Sequence, residues 1–126
     1  MQTMQTILVV DDEDAVRALV GDILALNGYT VLDTSDPQEA LWIATQQTIH
    51  LLLTDVGMPF MKGTELAHRL QALRPQTKVL FMSGDQVSEV IASRYPFIPK
   101  PFTPDALTEK VRQVLAEASP FAPTRP

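Results

Sequence analysis

The chain has 126 residues, 45% of them apolar and 20% charged, enough for one hydrophobic core and one domain. It has no cysteine, which excludes disulfides and thiolate metal sites. No apolar run approaches the roughly 20 residues of a membrane span, and Met1 to Gln5 lacks the blocks of a signal peptide, so a cytoplasmic location without membrane contact is expected. The net charge of −5 argues against a nucleic-acid surface, which calls for a basic stripe.

Thr6 to Val10 is apolar without alternation, the pattern of a strand buried on both faces. Asp14 is placed to cap a helix in which Val16, Leu19, Val20, Ile23 and Leu24 share one face, and Asn27-Gly28 ends it. Tyr29 to Leu32 reads as a second strand. Asp36-Pro37 opens a helix with the stripe Ala40, Leu41 and Ala44. A third strand spans 50–54, and a loop runs from Val56 to Gly63. Thr64 is placed to cap a helix packing through Leu66, Leu70 and Leu73, which Arg74-Pro75 stops. A fourth strand covers 78–82, a short helix 86–93 and a fifth strand 95–98. Thr103-Pro104 starts a last helix with Leu107, Val111, Val114 and Leu115 facing the core. Five strands alternating with five helices predict an α/β fold, a (βα)5 unit with a parallel sheet covered on both faces. Residues 119–126 hold three prolines and read as a frayed tail.

The strands end on residues suited to phosphate chemistry. The first runs into Asp11-Asp12, the third into Asp55, the fourth into Ser83, and the weak fifth leads to Lys100. Ligands of open parallel sheets bind outside the carboxyl ends of the strands. Asp11, Asp12 and Asp55 on neighbouring strand ends would raise one another's pKa, and a magnesium ion resolves that repulsion. Taken alone, Asp11-Asp12 could simply cap the following helix. A carboxylate at position 55, before a flexible loop, is placed to attack phosphorus. Lys100 and Ser83 would then hold phosphoryl oxygens. The prolines flanking Lys100 bias it toward an extended, fixed geometry.

ILVVDDE, LLLTDVGMP with its MKG, LFMSG and FIPKPF together resemble the receiver domain of two-component response regulators, over roughly residues 6–117. The resemblance implies a flavodoxin-like, doubly wound sheet of five parallel strands in the order 2-1-3-4-5. A receiver domain would occupy residues 1–118, with 119–126 a flexible tail. It implies that Asp55 accepts a phosphoryl group from the phosphohistidine of a histidine kinase or histidine phosphotransfer domain. Mg2+ would be ligated by Asp12, Asp55 and the backbone carbonyl of Gly57, with Asp11 acting through water. Ser83 corresponds to the switch hydroxyl, Phe97 to the aromatic that turns inward in response, and Lys100 to the lysine pairing with the phosphoryl group. Such a domain presents a changed surface to a downstream protein and is no enzyme beyond its own phosphorylation and slow dephosphorylation.

Some features depart from the family. Phe60 stands where glycine is common and Lys62 where aspartate or serine is frequent; neither is expected to touch the chemistry. The stretch from Ser83 to Lys100 is shorter than usual, which predicts a short or displaced helix over 86–93 and an altered partner surface. Gly57 and Asp85 are expected to border the phosphoryl site. His50 and His68 are expected at the surface or a strand edge, Trp42 in partly exposed packing, Met58 and Met61 as loop padding, and Arg94-Tyr95 as a solvated helix end. A magnesium-dependent phosphatase or phosphotransferase similar to haloacid dehalogenases also uses an aspartate nucleophile. It requires a general acid two residues later, where this chain has Gly57. A flavodoxin-like cofactor binder is disfavoured because Asp11-Asp12-Glu13 would repel its phosphate. The motifs fit both a single-domain regulator and a receiver from the end of a hybrid sensor kinase.

Overall fold

A computed structural model describes residues 4–84 and 95–117. In chain order these form β1 (Thr6–Val10), α1 (Asp14–Leu26), β2 (Thr30–Thr34), α2 (Pro37–Gln46), β3 (Leu51–Asp55), α3 (Gly63–Leu73), β4 (Lys78–Ser83), β5 (Phe97–Pro99) and α4 (Pro104–Ala116). The strands make one parallel sheet in the order β2-β1-β3-β4-β5, the order that the family resemblance implies. Four helices fall among the described residues. The helix expected over 86–93 and the tail at 119–126 lie outside them.

The unbroken apolar runs follow from what covers the sheet. Ile7, Val9, Leu51, Leu53, Leu80 and Met82 pack against α1 and α4. The alternate residues Leu8, Val10, Leu52, Val79 and Phe81 pack against α2 and α3. Successive side chains of a strand point to opposite faces, so both must be apolar when both are covered. All five residues of β3 are buried, and they run down the middle of the sheet.

The caps follow the sequence at two helices. The Asp36 carboxylate accepts the Gln38 N–H at 2.9 Å ahead of Pro37, and the Thr103 hydroxyl accepts the Ala106 N–H at 3.0 Å beside Pro104. Gly28 takes a φ of +91° just after α1, where glycine costs least. Elsewhere the boundaries shift. β2 extends to Thr34 because Asp33 and Thr34 continue the pairing with Val9 and Val10. Tyr95 and Pro96 precede β5. α1 begins at Asp14 itself, with Glu13 in the cap position.

α3 begins at Gly63, with Lys62 in the cap position in place of the predicted Thr64. The reason is contact with the end of β3. The Gly63 N–H donates to the Val56 carbonyl at 2.9 Å, and a Cβ at position 63 would overlap the Asp55 carbonyl oxygen. Backbone cannot yield as a flexible side chain can, so only glycine fits. Gly63→Ala is expected to destabilise the fold by about 2–3 kcal/mol in urea unfolding, an overpacking effect. Gly21→Ala, whose added Cβ meets only the Val31 Cγ1 at 3.7 Å, is expected to be neutral or stabilising by up to ~1 kcal/mol. Equal destabilisation by both would show that the β3–α3 contact is not tight.

Candidate functional site: an acidic pocket at the carboxyl edge of the sheet

Sheet register assembles the site. β1 lies between β2 and β3, so the chain reverses its winding at the β1/β3 crevice, where such sheets bind ligands. Val10 is paired with Thr54, which sets Asp11 and Asp55 side by side across that crevice. Asp55 is paired with Met82, and Ser83 with Pro99, which brings Ser83 and Lys100 to the same edge. Two further backbone bonds continue the ladder, Val56 N–H to Met82 at 3.0 Å and Lys100 N–H to Ser83 at 2.7 Å.

Carboxylate oxygens of Asp11, Asp12 and Asp55 lie within 4.8 Å of one another. Asp11 is fully buried, Asp55 and Ser83 nearly so, and Asp12 is exposed. The Lys100 ammonium stands 2.9 Å from Asp11, 3.1 Å from Glu13 and 3.5 Å from Asp55. The second Asp11 oxygen accepts the Glu13 N–H at 2.9 Å. Arg17, from the first turns of α1, donates to the Asp11 carbonyl at 2.8 Å and pairs with Asp14 and Asp33. It thereby ties the β1–α1 connection to β2. A cavity of about 430 Å³ opens beside Asp55 and is lined by Asp12, Glu13, Asp55, Val56, Gly57, Lys62, Ser83, Gly84 and Lys100.

The electrostatics are unbalanced. Burial pushes the Asp55 carboxyl above its ordinary value, and the charges of Asp11 and Asp12 push it further. Lys100 opposes both by charge and by hydrogen bond without overcoming them. Burial alone would lower Lys100, but its bonds to Asp11 and Glu13 and the charges of Asp11 and Asp55 outweigh that and hold it above the usual lysine range. The lysine is thus committed largely to Asp11 and Glu13. Converging hard oxygen donors with uncancelled negative charge form a set that suits magnesium or calcium.

The structure brings Asp11, Asp12, Asp55, Gly57, Ser83 and Lys100 together at one edge. Phe97 lies on β5, opposite Phe81, partly buried against the α2/α3 side of the core. Lys62 also lines the cavity. Two expectations need correction. Tyr95, expected at a solvated helix end, packs edge-on against Phe81 with ring centroids 5.3 Å apart. Met58 and Met61 do more than pad the loop, being buried in the α2/α3-side core. Phe60 is wholly exposed at a φ of +72°, a region that favours glycine. His50 accepts the Thr6 N–H at 2.9 Å, His68 is exposed, and Trp42 is mostly exposed. Arg94 and Asp85 lie outside the described residues. Glu13 and Arg17 join the site without having been expected there. Glu13 is signalled only by following the acidic pair, and Arg17 by its helical spacing from Asp14.

This fold and pocket are those of a phosphoryl-accepting signalling domain of the flavodoxin-like type. The family model described as the response regulator receiver domain matches residues 7–112, and the chain belongs to that family. It is 36% identical over 120 residues to the sensor kinase CckA of Brucella abortus (strain 2308), covering 87% of this chain and 12% of the kinase. It is 33% identical to the response regulator MprA of Mycobacterium leprae (strain TN), covering 90% of this chain and 52% of the regulator. The chain therefore spans about half the length of MprA and a small part of CckA. Among solved structures, the receiver domain of the hybrid histidine kinase CckA superposes with a TM-score of 0.76 at 38% identity, covering 87% of this chain and 98% of that one. The chemotaxis protein CheY4 of Vibrio cholerae gives 0.79 at 30% identity, covering 89% and 99%. Receiver domains take a phosphoryl group from histidine kinases or phosphotransfer proteins and generally bind Mg2+ at an acidic pocket. Among the described residues no helix is long and apolar enough to cross a membrane.

A raised carboxyl pKa means that ionising Asp55 costs folding stability. The folded state holds the proton more tightly than the unfolded chain, so this penalty is absent below the unfolded pKa and complete above the folded one. Asp55→Asn is expected to raise the melting temperature at pH 7 by several degrees, the shift that about 1 kcal/mol produces in a domain this size. The gain is expected to shrink as pH falls through the carboxyl range. Thermal unfolding of both proteins between pH 4 and 8 checks this, and an Asn variant less stable than the wild type at pH 7 would contradict it.

Proposed function

We propose that this chain is a phosphoacceptor switch of a two-component system with Asp55 as its acceptor. One observation carries the assignment: Asp55 is a nearly buried carboxylate, held between two other aspartates and an ammonium, facing an open cavity at the switch point of the sheet. Its oxygen attacks phosphorus of a phosphohistidine. The P–N bond breaks as the P–O bond forms, and the electron pair leaves on the imidazole nitrogen. Lys100 shifts from carboxylate to phosphoryl oxygens, and Ser83 donates its hydroxyl to another.

Mg2+, when bound, supplies positive charge against the phosphoryl oxygens. Asp12, Asp55 and the Gly57 carbonyl would hold it directly, with Asp11 through water. Asp11 also fixes Lys100, and Arg17 fixes the Asp11 backbone. The phosphoryl group adds up to two negative charges at one point, enough to bias a two-state equilibrium through Ser83 on β4 and Phe97 on the neighbouring β5.

The donor is a histidine kinase or a histidine phosphotransfer domain, a reading supported by similarity to the CckA receiver. The recipient of the signal is another protein. No nucleic-acid or membrane surface is assigned, and the setting is cytoplasmic. The domain turns over no substrate beyond phosphorylating and slowly dephosphorylating itself. Gly57 supplies no general acid for a dehalogenase-type phosphatase.

Incubation with Mg2+ and acetyl phosphate, followed by intact-mass measurement, is expected to give one phosphoryl adduct on the wild type and none on Asp55→Asn. Undiminished labelling of that variant would remove Asp55 as the acceptor.

A further inference from the structure

The β3–α3 connection sets a second lysine at the pocket. Lys62 lines the same cavity as Asp55, Gly57, Ser83 and Lys100. It is exposed, and among the described residues its ammonium takes part in no ion pair or side-chain hydrogen bond. Glu65, one turn further along, pairs instead with Arg69 at 2.7 Å.

Local structure gives no reason for a cation here. Lys62 occupies the N-cap of α3, where an acceptor side chain is favoured and lysine satisfies none of the free N–H groups. Its charge also faces the positive end of the helix dipole. Serine or aspartate would hold this helix better.

The pocket supplies the reason that the helix does not. Asp11, Asp12, Glu13 and Asp55 crowd one ammonium, that of Lys100, which already contacts three of them. A phosphodonor approaching Asp55 brings further negative charge to an edge with no uncommitted cation except Lys62 among the described residues lining the cavity. A long flexible stem lets such an ammonium follow the phosphoryl group.

We propose that Lys62 is a second phosphate-binding residue of this site, drawing the donor's phosphoryl oxygens to the cavity mouth and holding them once the group is on Asp55. It acts by charge and hydrogen bonding alone and gives up no proton. The inference rests on Asp55 being the acceptor.

The test measures adduct formation by intact mass, with Mg2+ and a series of acetyl phosphate concentrations, for the wild type, Lys62→Met, Lys62→Arg, Lys62→Ser and Lys110→Met. Lys110 is not among the cavity-lining residues. Lys62→Met and Lys62→Ser are expected to lower the rate per molar acetyl phosphate roughly three- to fivefold at low salt, the effect of one exposed charge. The difference should disappear near 1 M salt, where screening acts within about 3 Å. Lys62→Arg and Lys110→Met are expected to stay near the wild type. Lys62→Ser should melt no lower than the wild type, because serine is the better cap, so its slower labelling cannot come from a damaged fold. Wild-type labelling with Lys62→Met unchanged in rate and salt dependence would overturn this inference and leave Asp55 as acceptor. No adduct on the wild type would overturn both.

Discussion

A single ammonium shared among several carboxylates organises this molecule. Lys100 reaches Asp11, Glu13 and Asp55 from beyond the last strand, joining the two sides of the sheet's carboxyl edge. Two like charges less than 5 Å apart repel by roughly 3 kcal/mol or more at an effective dielectric constant near 20. The aspartate cluster holds three such groups, and a whole domain is stable by only about 5–15 kcal/mol. Lys100 offsets the charges of Asp11 and Asp12 on Asp55, yet burial still pushes that carboxyl above its ordinary value. The fold tolerates an edge that is poised to take up positive charge.

The rest of the chain keeps those groups in place. Parallel register fixes Asp11 beside Asp55 and Ser83 near Lys100 with no help from side chains. Arg17 ties the Asp11 carbonyl to Asp14 and Asp33, so the β1–α1 connection cannot swing away under its own charge. Gly63 lets α3 start directly on the Asp55 backbone. On β4, Phe81 meets Tyr95 edge-on and lies opposite Phe97, which places an aromatic layer along the strand that ends at Ser83.

Most of the fold is legible in the sequence because both faces of the sheet are covered. An unbroken apolar run such as Leu51-Leu52-Leu53, too short for a helix of its own, belongs in a central strand, and Asp36-Pro37 and Thr103-Pro104 mark helix starts by local chemistry alone. The acidic cluster and Lys100 are legible because they sit at strand ends, where topology gathers them. What the sequence hides depends on tertiary packing. Nothing local shows that Gly63 meets backbone from β3, or that this contact moves the start of α3 and turns Lys62 toward the cavity. Tyr95 looks like a solvated position because its partner, Phe81, lies on another strand. Glu13 reads as a repulsive neighbour until Lys100 is seen to bind it.

The charge state of one carboxyl group decides whether the pocket calls for a cation, and it can be observed directly. Carbon-13 NMR titration of the Asp55 side chain, without metal and then with saturating Mg2+, is the decisive measurement. The structure predicts ionisation above the ordinary aspartate range without metal and a marked downward displacement when Mg2+ is added. Ionisation at or below the ordinary value, unmoved by Mg2+, would mean that Lys100 already neutralises the pocket and that no cation is called for there.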